Sequence, residues 1–422
     1  MKLLFFFLFA LFGFNSLTAE ELPYSKVVLI VVDTLRADHL PMYGYKKNTA
    51  PFLASLADRT IVFENAISTS SYTAPATASI HTALLPDEHG VIIGLNATKR
   101  MSKVDTSFQL NRVPQKATTI AEFMKANDYQ TFGIADNGNI SKAMGFDQGF
   151  DHFVTFTNEG SKNVNEQALA WHEMMDKSSK YFLYLHYMDP HSPYEKHAPW
   201  YDESAKGAQE KLVASYDSEI NNVDEKIKEL FTKFGWGRDT LIVLSADHGE
   251  EFWEHGKTGH GKTLYHEVLH VPLLIYSDKT APNRVPDLVS NADIPPTIAS
   301  LTGLGSFAKT VSYPIFGIDL IEESKATRTV LSNLHKETKK GRSGRMDAMT
   351  KPDWKFIVSK DTSSATVKVE QRELFARKTD PLEKHNSFKK NKDIGLSLEA
   401  ELDSMLQAET PLGRELAPYQ PK

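Results

Sequence analysis

Leu241-Ile242-Val243-Leu244-Ser245-Ala246-Asp247-His248-Gly249-Glu250 is an aliphatic run that ends abruptly in ionisable side chains. Four consecutive aliphatic residues with polar flanks read as a strand buried on both faces, as in a parallel sheet. Such a strand delivers Asp247 and His248 as neighbouring metal ligands at its carboxyl end. Lys26–Val32 repeats the pattern: the apolar run leads into Asp33, and Thr34-Leu35-Arg36-Ala37-Asp38-His39 then turns away. In open α/β sheets ligands gather at the carboxyl ends of strands, so Asp33 and the Asp247-His248 pair belong on one rim.

Further strands are expected at Ile61–Asn65, Tyr129–Ala135, Tyr181–Tyr187 and Val271–Tyr276. Helices are expected at Pro51–Ala57, Pro75–Leu84, Thr119–Ala126, Asn165–Met175, Ala214–Phe234 and Ile294–Leu301. Ala214–Phe234 carries Ile220, Val223, Ile227, Leu230 and Phe231 at helical spacing, an apolar stripe suited to core packing. Alternating strands and helices give an α/β fold with a large, mostly parallel sheet. From about Ala326 the pattern shifts to short strands, Thr329–Leu334, Trp354–Ser359, Thr366–Val369 and Glu373–Ala376, then a helix at Leu396–Leu406. Basic connectors such as Lys339-Lys340-Gly341-Arg342 separate them, as in a small α+β subdomain. Asn96–Gln115 and Lys196–Gln209 carry no readable period.

Met1-Lys2 and the apolar stretch Leu3–Phe14, followed by small residues up to Ala19, read as a secretory leader. The expected division is therefore a leader at 1–19, a catalytic domain at 20–325 and a subdomain at 326–422. No later run reaches the ~20 apolar residues of a membrane span. The 422 residues include no cysteine, which excludes disulfides and thiolate chemistry and suits a bacterial periplasm. A net charge of −6 argues against nucleic acid as a partner, while leaving room for a local anion pocket.

Tyr72-Thr73-Ala74-Pro75 places a hydroxyl at the mouth of a helix, with Pro75 in the first turn. There Thr73 would either cap the helix or use the N-terminal dipole as a nucleophile toward an anion. A threonine hydroxyl needs a metal or a base to react at neutral pH. Asp33, Thr73, Asp247 and His248 would together hold one divalent ion, with Mn²⁺ or Zn²⁺ better suited to imidazole than Ca²⁺. Asp189 and His191 follow another strand. His255, His260, Lys262 and His266 lie in or just beyond a glycine-rich loop. Such groups serve as oxyanion clamps and leaving-group acids.

These motifs, in this order, resemble the sulfatase family within the alkaline phosphatase superfamily. The resemblance rests on Asp33–His39 with Tyr43-Gly44-Tyr45, Thr73-x-Pro75, Pro86–Val91, Asp189–Tyr194 and Asp247–Glu250. Gly259–Lys262, Ile294–Thr297, Glu373–Phe375 and Thr379–Asn386 continue it, so it spans nearly the whole mature chain. It implies an α/β/α sandwich with a small C-terminal subdomain and metal binding by Asp33, Asp247 and His248. It also implies Thr73 at the nucleophile position and His191, His260 and Lys262 around the oxyanion and the leaving group. A second metal would draw on Asp189, His191 and His260.

The departures bear on specificity. Sulfatases proper carry Cys or Ser in C/S-x-P-x-R, oxidised to formylglycine; here the motif is Thr73-Ala74-Pro75-Ala76-Thr77. Threonine is no formylglycine precursor, and Thr34 stands where an acid would follow Asp33. The expected function is hydrolysis of a phosphate or sulfate ester through Thr73, with phosphoester favoured. Transfer of a phospho-group to an envelope lipid or sugar is the first alternative, and a non-catalytic secreted anion-binding relative is the second.

Overall fold

The computed structural model describes residues 23–322, 327–338, 341–364, 366–408 and 412–420. The expected leader at 1–19 and the expected boundary at 325/326 lie outside the described residues. The central sheet has nine strands: β1 (Lys26–Val32), β2 (Thr60–Ile67), β3 (Gln130–Ala135), β4 (His152–Thr155), β5 (Tyr181–Tyr187), β6 (Thr240–Ser245), β7 (His270–Val271), β8 (Leu273–Tyr276) and β9 (Asn283–Ser290). Their order is β7-β2-β8-β6-β1-β5-β3-β4, with β9 also paired to β2. β1 lies parallel between β5 and β6, so Asp33, Met188 and Ala246 leave the sheet at one edge. β8 is antiparallel to both β6 and β2, which makes the sheet mixed.

Helices cover both faces of this sheet because side chains alternate along each strand. On β5, Tyr184 turns toward α1 (Thr73–Thr82), where its ring lies 4.6 Å from that of His81. Tyr187 points the other way, and its hydroxyl donates to Asn165 Oδ1 at 2.8 Å on α2 (Ser161–Lys177). α3 (Gly207–Phe234) packs beside α2 with its apolar stripe buried apart from the half-buried Phe231, although it begins at Gly207 rather than Ala214. α4 (Ile294–Leu301) packs against α1 on the opposite face. β1, β5 and β6 are buried throughout apart from Lys26, which accounts for their unbroken apolar composition.

The C-terminal region is an antiparallel sheet of β10 (Val330–Thr338), β11 (Gly341–Thr350), β12 (Trp354–Asp361) and β13 (Lys368–Ala376), backed by α5 (Lys392–Ala408). Two expectations are corrected. Gly341 and Arg342 open a strand rather than sitting in a connector; the polar start Gly341–Arg345 hides the buried Met346, Ala348 and Met349 that follow. Thr366–Val369 and Glu373–Ala376 are not two strands: β13 joins Lys368-Val369 to all of Glu373–Ala376, its register to β12 shifting between Ser359 and Lys360. Within Asn96–Gln115 the structure has a helix, Leu95–Ser102, and a strand, Gln109–Arg112. That strand pairs with Glu415–Pro418, so the end of the chain returns to the main domain.

The subdomain grips the main domain through Asp87, which accepts from His335 at 2.9 Å and lies 2.5 Å from the Arg345 guanidinium. Burial alone would raise this carboxyl, but the His335 hydrogen bond and the Arg345 charge hold it down at about 2. A folded value below the unfolded one stabilises the fold above pH ~4 and is lost as pH falls through the folded value. Asp87→Asn is therefore expected to cost about 2 kcal/mol near neutral pH. Its deficit against the wild type should narrow as pH falls below about 4 in denaturant titrations. A deficit that does not change with pH would rule out the charge as its source.

Candidate active site

Asp33 sits one residue beyond β1, its N–H donating to the Tyr187 carbonyl at 2.8 Å. Thr34 then adopts φ 60°, a left-handed turn uncommon outside glycine. The strain is held in place: Thr34 N–H donates to Asp247 Oδ1 at 3.2 Å, and the Tyr216 hydroxyl donates to Thr34 O at 2.8 Å while accepting from Arg36 N–H at 2.9 Å. Asp247 leaves β6 from the neighbouring position. Its carbonyl accepts from the Ser68 hydroxyl and from Asn291 Nδ2, and its Oδ1 accepts from His248 N–H at 2.8 Å.

Thr73 is the first residue of α1, preceded by the extended Tyr72, and makes no capping bond. Its Oγ1 lies 3.3 Å from His248 Nε2. The capping role is thus not the one adopted; the hydroxyl faces the ligand cluster. The structure brings Asp33, Asp247, His248 and Thr73 together, all of them buried. His248 Nε2 lies 3.8 Å from Asp33 Oδ1 and 3.6 Å from Asp247 Oδ2.

Two residues the sequence reading missed complete this cluster. His186, within β5, brings Nε2 to 3.8 Å from Asp33 Oδ2 and 4.0 Å from Asp247 Oδ2. Asn137, just beyond β3, donates to Asp33 Oδ2 at 2.7 Å. A polar side chain inside an apolar run was the available signal for His186. The rim rule that selected Asp33 would also have selected Asn137.

Asp33 Oδ1 and Asp247 Oδ2 are buried without hydrogen-bond partners. Orphaned carboxylate oxygens are costly unless a cation meets them. Ligand atoms of Asp33, His186 and Asp247 all lie within 4.8 Å of one another, so these residues fit a divalent ion. Burial pushes the Asp247 carboxyl up, yet the His248 and His186 imidazoles outweigh it and hold the group below its ordinary range.

The outer groups divide. His260 comes close: its ring lies 4.4 Å from that of His248, and Nδ1 lies 3.0 Å from Glu250 Oε1, directing the other nitrogen elsewhere. Glu250 is fully buried and also accepts from the Tyr194 hydroxyl at 2.8 Å. The His191 ring lies 5.0 Å from that of His260. Lys262 is exposed, and its ammonium binds the Thr258 carbonyl rather than the cluster. His255 and His266 belong to the subdomain contact, and Asp189 ties Ser161 and Asn222 together. Among the described residues Asp189, His191 and His260 therefore form no second ligand set. Gly261, at φ 67°, donates to Ser71 O at 2.7 Å and so fastens the His260 loop to the segment leading into Thr73. A cavity of about 390 Å³, bordered by Asp136, Asp189, His191, His197, Glu219 and Asn222, opens beside this group.

Residues 25–304 match the family model described as Sulfatase. Phosphatidylethanolamine transferase Mcr-1 of Escherichia coli is 24% identical over 309 residues, covering 65% of this chain and 53% of its own length. An arylsulfatase of Hemicentrotus pulcherrimus is 26% identical over 330 residues, covering 66% and 58%. The chain thus spans little more than half the length of these relatives. The crystal structure of yidJ from Bacteroides fragilis superposes with a TM-score of 0.76 at 19% identity, over 93% of this chain and 98% of that one. With the family model covering most of the main domain and the rim residues assembled in its fold, the chain belongs to the sulfatase family.

Proposed function

We propose that the protein is a metal-dependent hydrolase of phosphoric esters that works through a covalent intermediate on Thr73. The observation that carries this reading is the buried Thr73 hydroxyl, 3.3 Å from His248 Nε2, which itself lies 3.8 and 3.6 Å from carboxylate oxygens of Asp33 and Asp247. A divalent ion held by Asp33, Thr73, Asp247 and His248 would supply Lewis acidity and lower the pKa of the hydroxyl. Thr73 Oγ forms the bond to phosphorus as the ester oxygen leaves, its own proton passing to solvent water. His260, oriented by Glu250, is placed to give that oxygen its proton and later to accept one from the water that frees Thr73. The cavity beside His191 offers room for the leaving group.

Phosphoryl chemistry is favoured over sulfuryl chemistry by the nucleophile. A formylglycine hydrate expels sulfate by C–O cleavage, using its second hydroxyl. A threonine ester has no such hydroxyl and must be released by attack at the central atom. The similarity to Mcr-1 supports a second reading, transfer of a phospho-group to an acceptor other than water. A secreted, periplasmic setting completes the proposal; the cysteine-free composition supports it.

The test compares aryl sulfate, phosphate monoester and phosphodiester turnover by the metal-loaded protein and by Thr73→Ala. Phosphoester cleavage reduced roughly a thousandfold or more in the variant is the expected outcome. Sulfate cleavage in preference, or full activity in Thr73→Ala, would contradict it. Asn137→Ala, which frees the Asp33 carboxylate, should weaken metal binding by about 10–100-fold in chelator competition. Unchanged affinity would mean Asn137 plays no part in orienting Asp33.

A further inference from the structure

Four groups account for the metal site implied by the sequence, yet the structure gathers a fifth. His186 is fully buried, comes from a strand that contributes no other site residue, and has no hydrogen-bond partner on either nitrogen. Its Nε2 lies near Asp247 Oδ2, which has no partner, and near Asp33 Oδ2, which Asn137 also bonds, while Asp33 Oδ1 is left unpartnered. A buried imidazole set to stabilise the fold would be expected to have a donor or acceptor satisfied. Here both carboxylates instead use their other contacts to keep an oxygen free: Asp247 Oδ1 takes two backbone N–H groups, and Asp33 is steadied by Asn137.

The separations are informative. Thr73 Oγ1 to His248 Nε2 is 3.3 Å, and His248 Nε2 lies 3.6 and 3.8 Å from the two free carboxylate oxygens. His186 Nε2 lies 3.8 and 4.0 Å from carboxylate oxygens of the same two residues. Two ligands on opposite sides of an ion with bonds of about 2.1 Å stand about 4.2 Å apart. Every one of these spacings falls inside that limit. Ligand atoms of Asp33, His186 and Asp247 all lie within 4.8 Å of one another, and His248 adjoins both carboxylates, so the two imidazoles share the same pair of acids.

We propose that His186 is a fifth ligand of the cation at this centre, making it a site of two imidazoles, two carboxylates and a threonine oxygen. The proposal rests on the reading that the centre holds a metal. It also accounts for the residue after Asp33. Thr34 brings no charge and is turned by its left-handed backbone, so the third anionic donor that an acid there would give is replaced by a neutral nitrogen from β5. With two carboxylates the donor set balances a divalent charge, and with two imidazoles it selects Zn²⁺ or a similar transition-metal ion over Ca²⁺.

The experiment measures Zn²⁺ and Ca²⁺ affinity by chelator competition for the full chain and for His186→Gln. Partners outside the coordination sphere are worth about 10–100-fold in metal affinity, so losing a ligand should weaken Zn²⁺ binding by at least about 100-fold. Ca²⁺ binding should change little. X-ray absorption of the Zn²⁺-loaded wild type should give scattering from two imidazoles, and this readout remains if the variant fails to fold. Wild-type Zn²⁺ affinity in His186→Gln, or scattering from a single imidazole, would overturn the assignment. Failure of the wild type to bind any divalent ion would instead remove the reading on which it rests.

Discussion

Two carboxylates, Asp33 and Asp247, share a fully buried rim with ligand atoms lying within 4.8 Å. At that distance like charges repel by roughly 3 kcal/mol even at an effective dielectric of ~20. The arrangement is tenable only where cationic charge meets it, and much of the local architecture serves to keep the two groups facing each other. The left-handed turn at Thr34, the Tyr216 hydroxyl beneath it, and the Ser68 and Asn291 bonds to the Asp247 carbonyl all hold the donors in position. The imidazoles of His186 and His248 lie within 4.0 Å of these carboxylates without adding negative charge.

The subdomain is tied to this centre through two routes. β10 binds the segment before Thr73: Asn333 N–H donates to Thr69 O at 2.9 Å and the Ser332 hydroxyl to Ser68 O at 2.6 Å. The turn after β13 brings Glu383 into a buried pair with Lys355 at 2.8 Å, while Glu383 accepts from His266 N–H and its carbonyl contacts His255. His255 and His266 bracket the loop that carries His260. The subdomain therefore fixes both the segment before Thr73 and the loop of His260, which accounts for motifs at 373–386 that lie far from Asp33 and Asp247 in sequence.

Much of this was legible because apolar runs and rim positions follow from simple burial rules. Val27–Val32 and Leu241–Leu244 could only be interior strands, and the carboxyl-end rule then placed Asp33 beside Asp247. His186 escaped because an apolar strand was read for its pattern rather than for its exception. β11 escaped because its polar opening, Gly341–Arg345, precedes the buried face that makes it a strand. Lys262 looked convergent by loop proximity, but spacing along a glycine-rich loop does not set side-chain direction, and its ammonium turns to Thr258. The pairing of Gln109–Arg112 with Glu415–Pro418 joins segments about three hundred residues apart, beyond the reach of any local pattern.

In the proposed mechanism Thr73 becomes covalently modified at a cation centre built by Asp33, Asp247 and His248. Acid quenching of the metal-loaded protein during phosphoester turnover, followed by peptide mapping, tests it most directly. The expected result is a phospho-group on Thr73 that disappears when the metal is chelated before substrate is added. Product formation with Thr73 unmodified, or with the group on another residue, would contradict it.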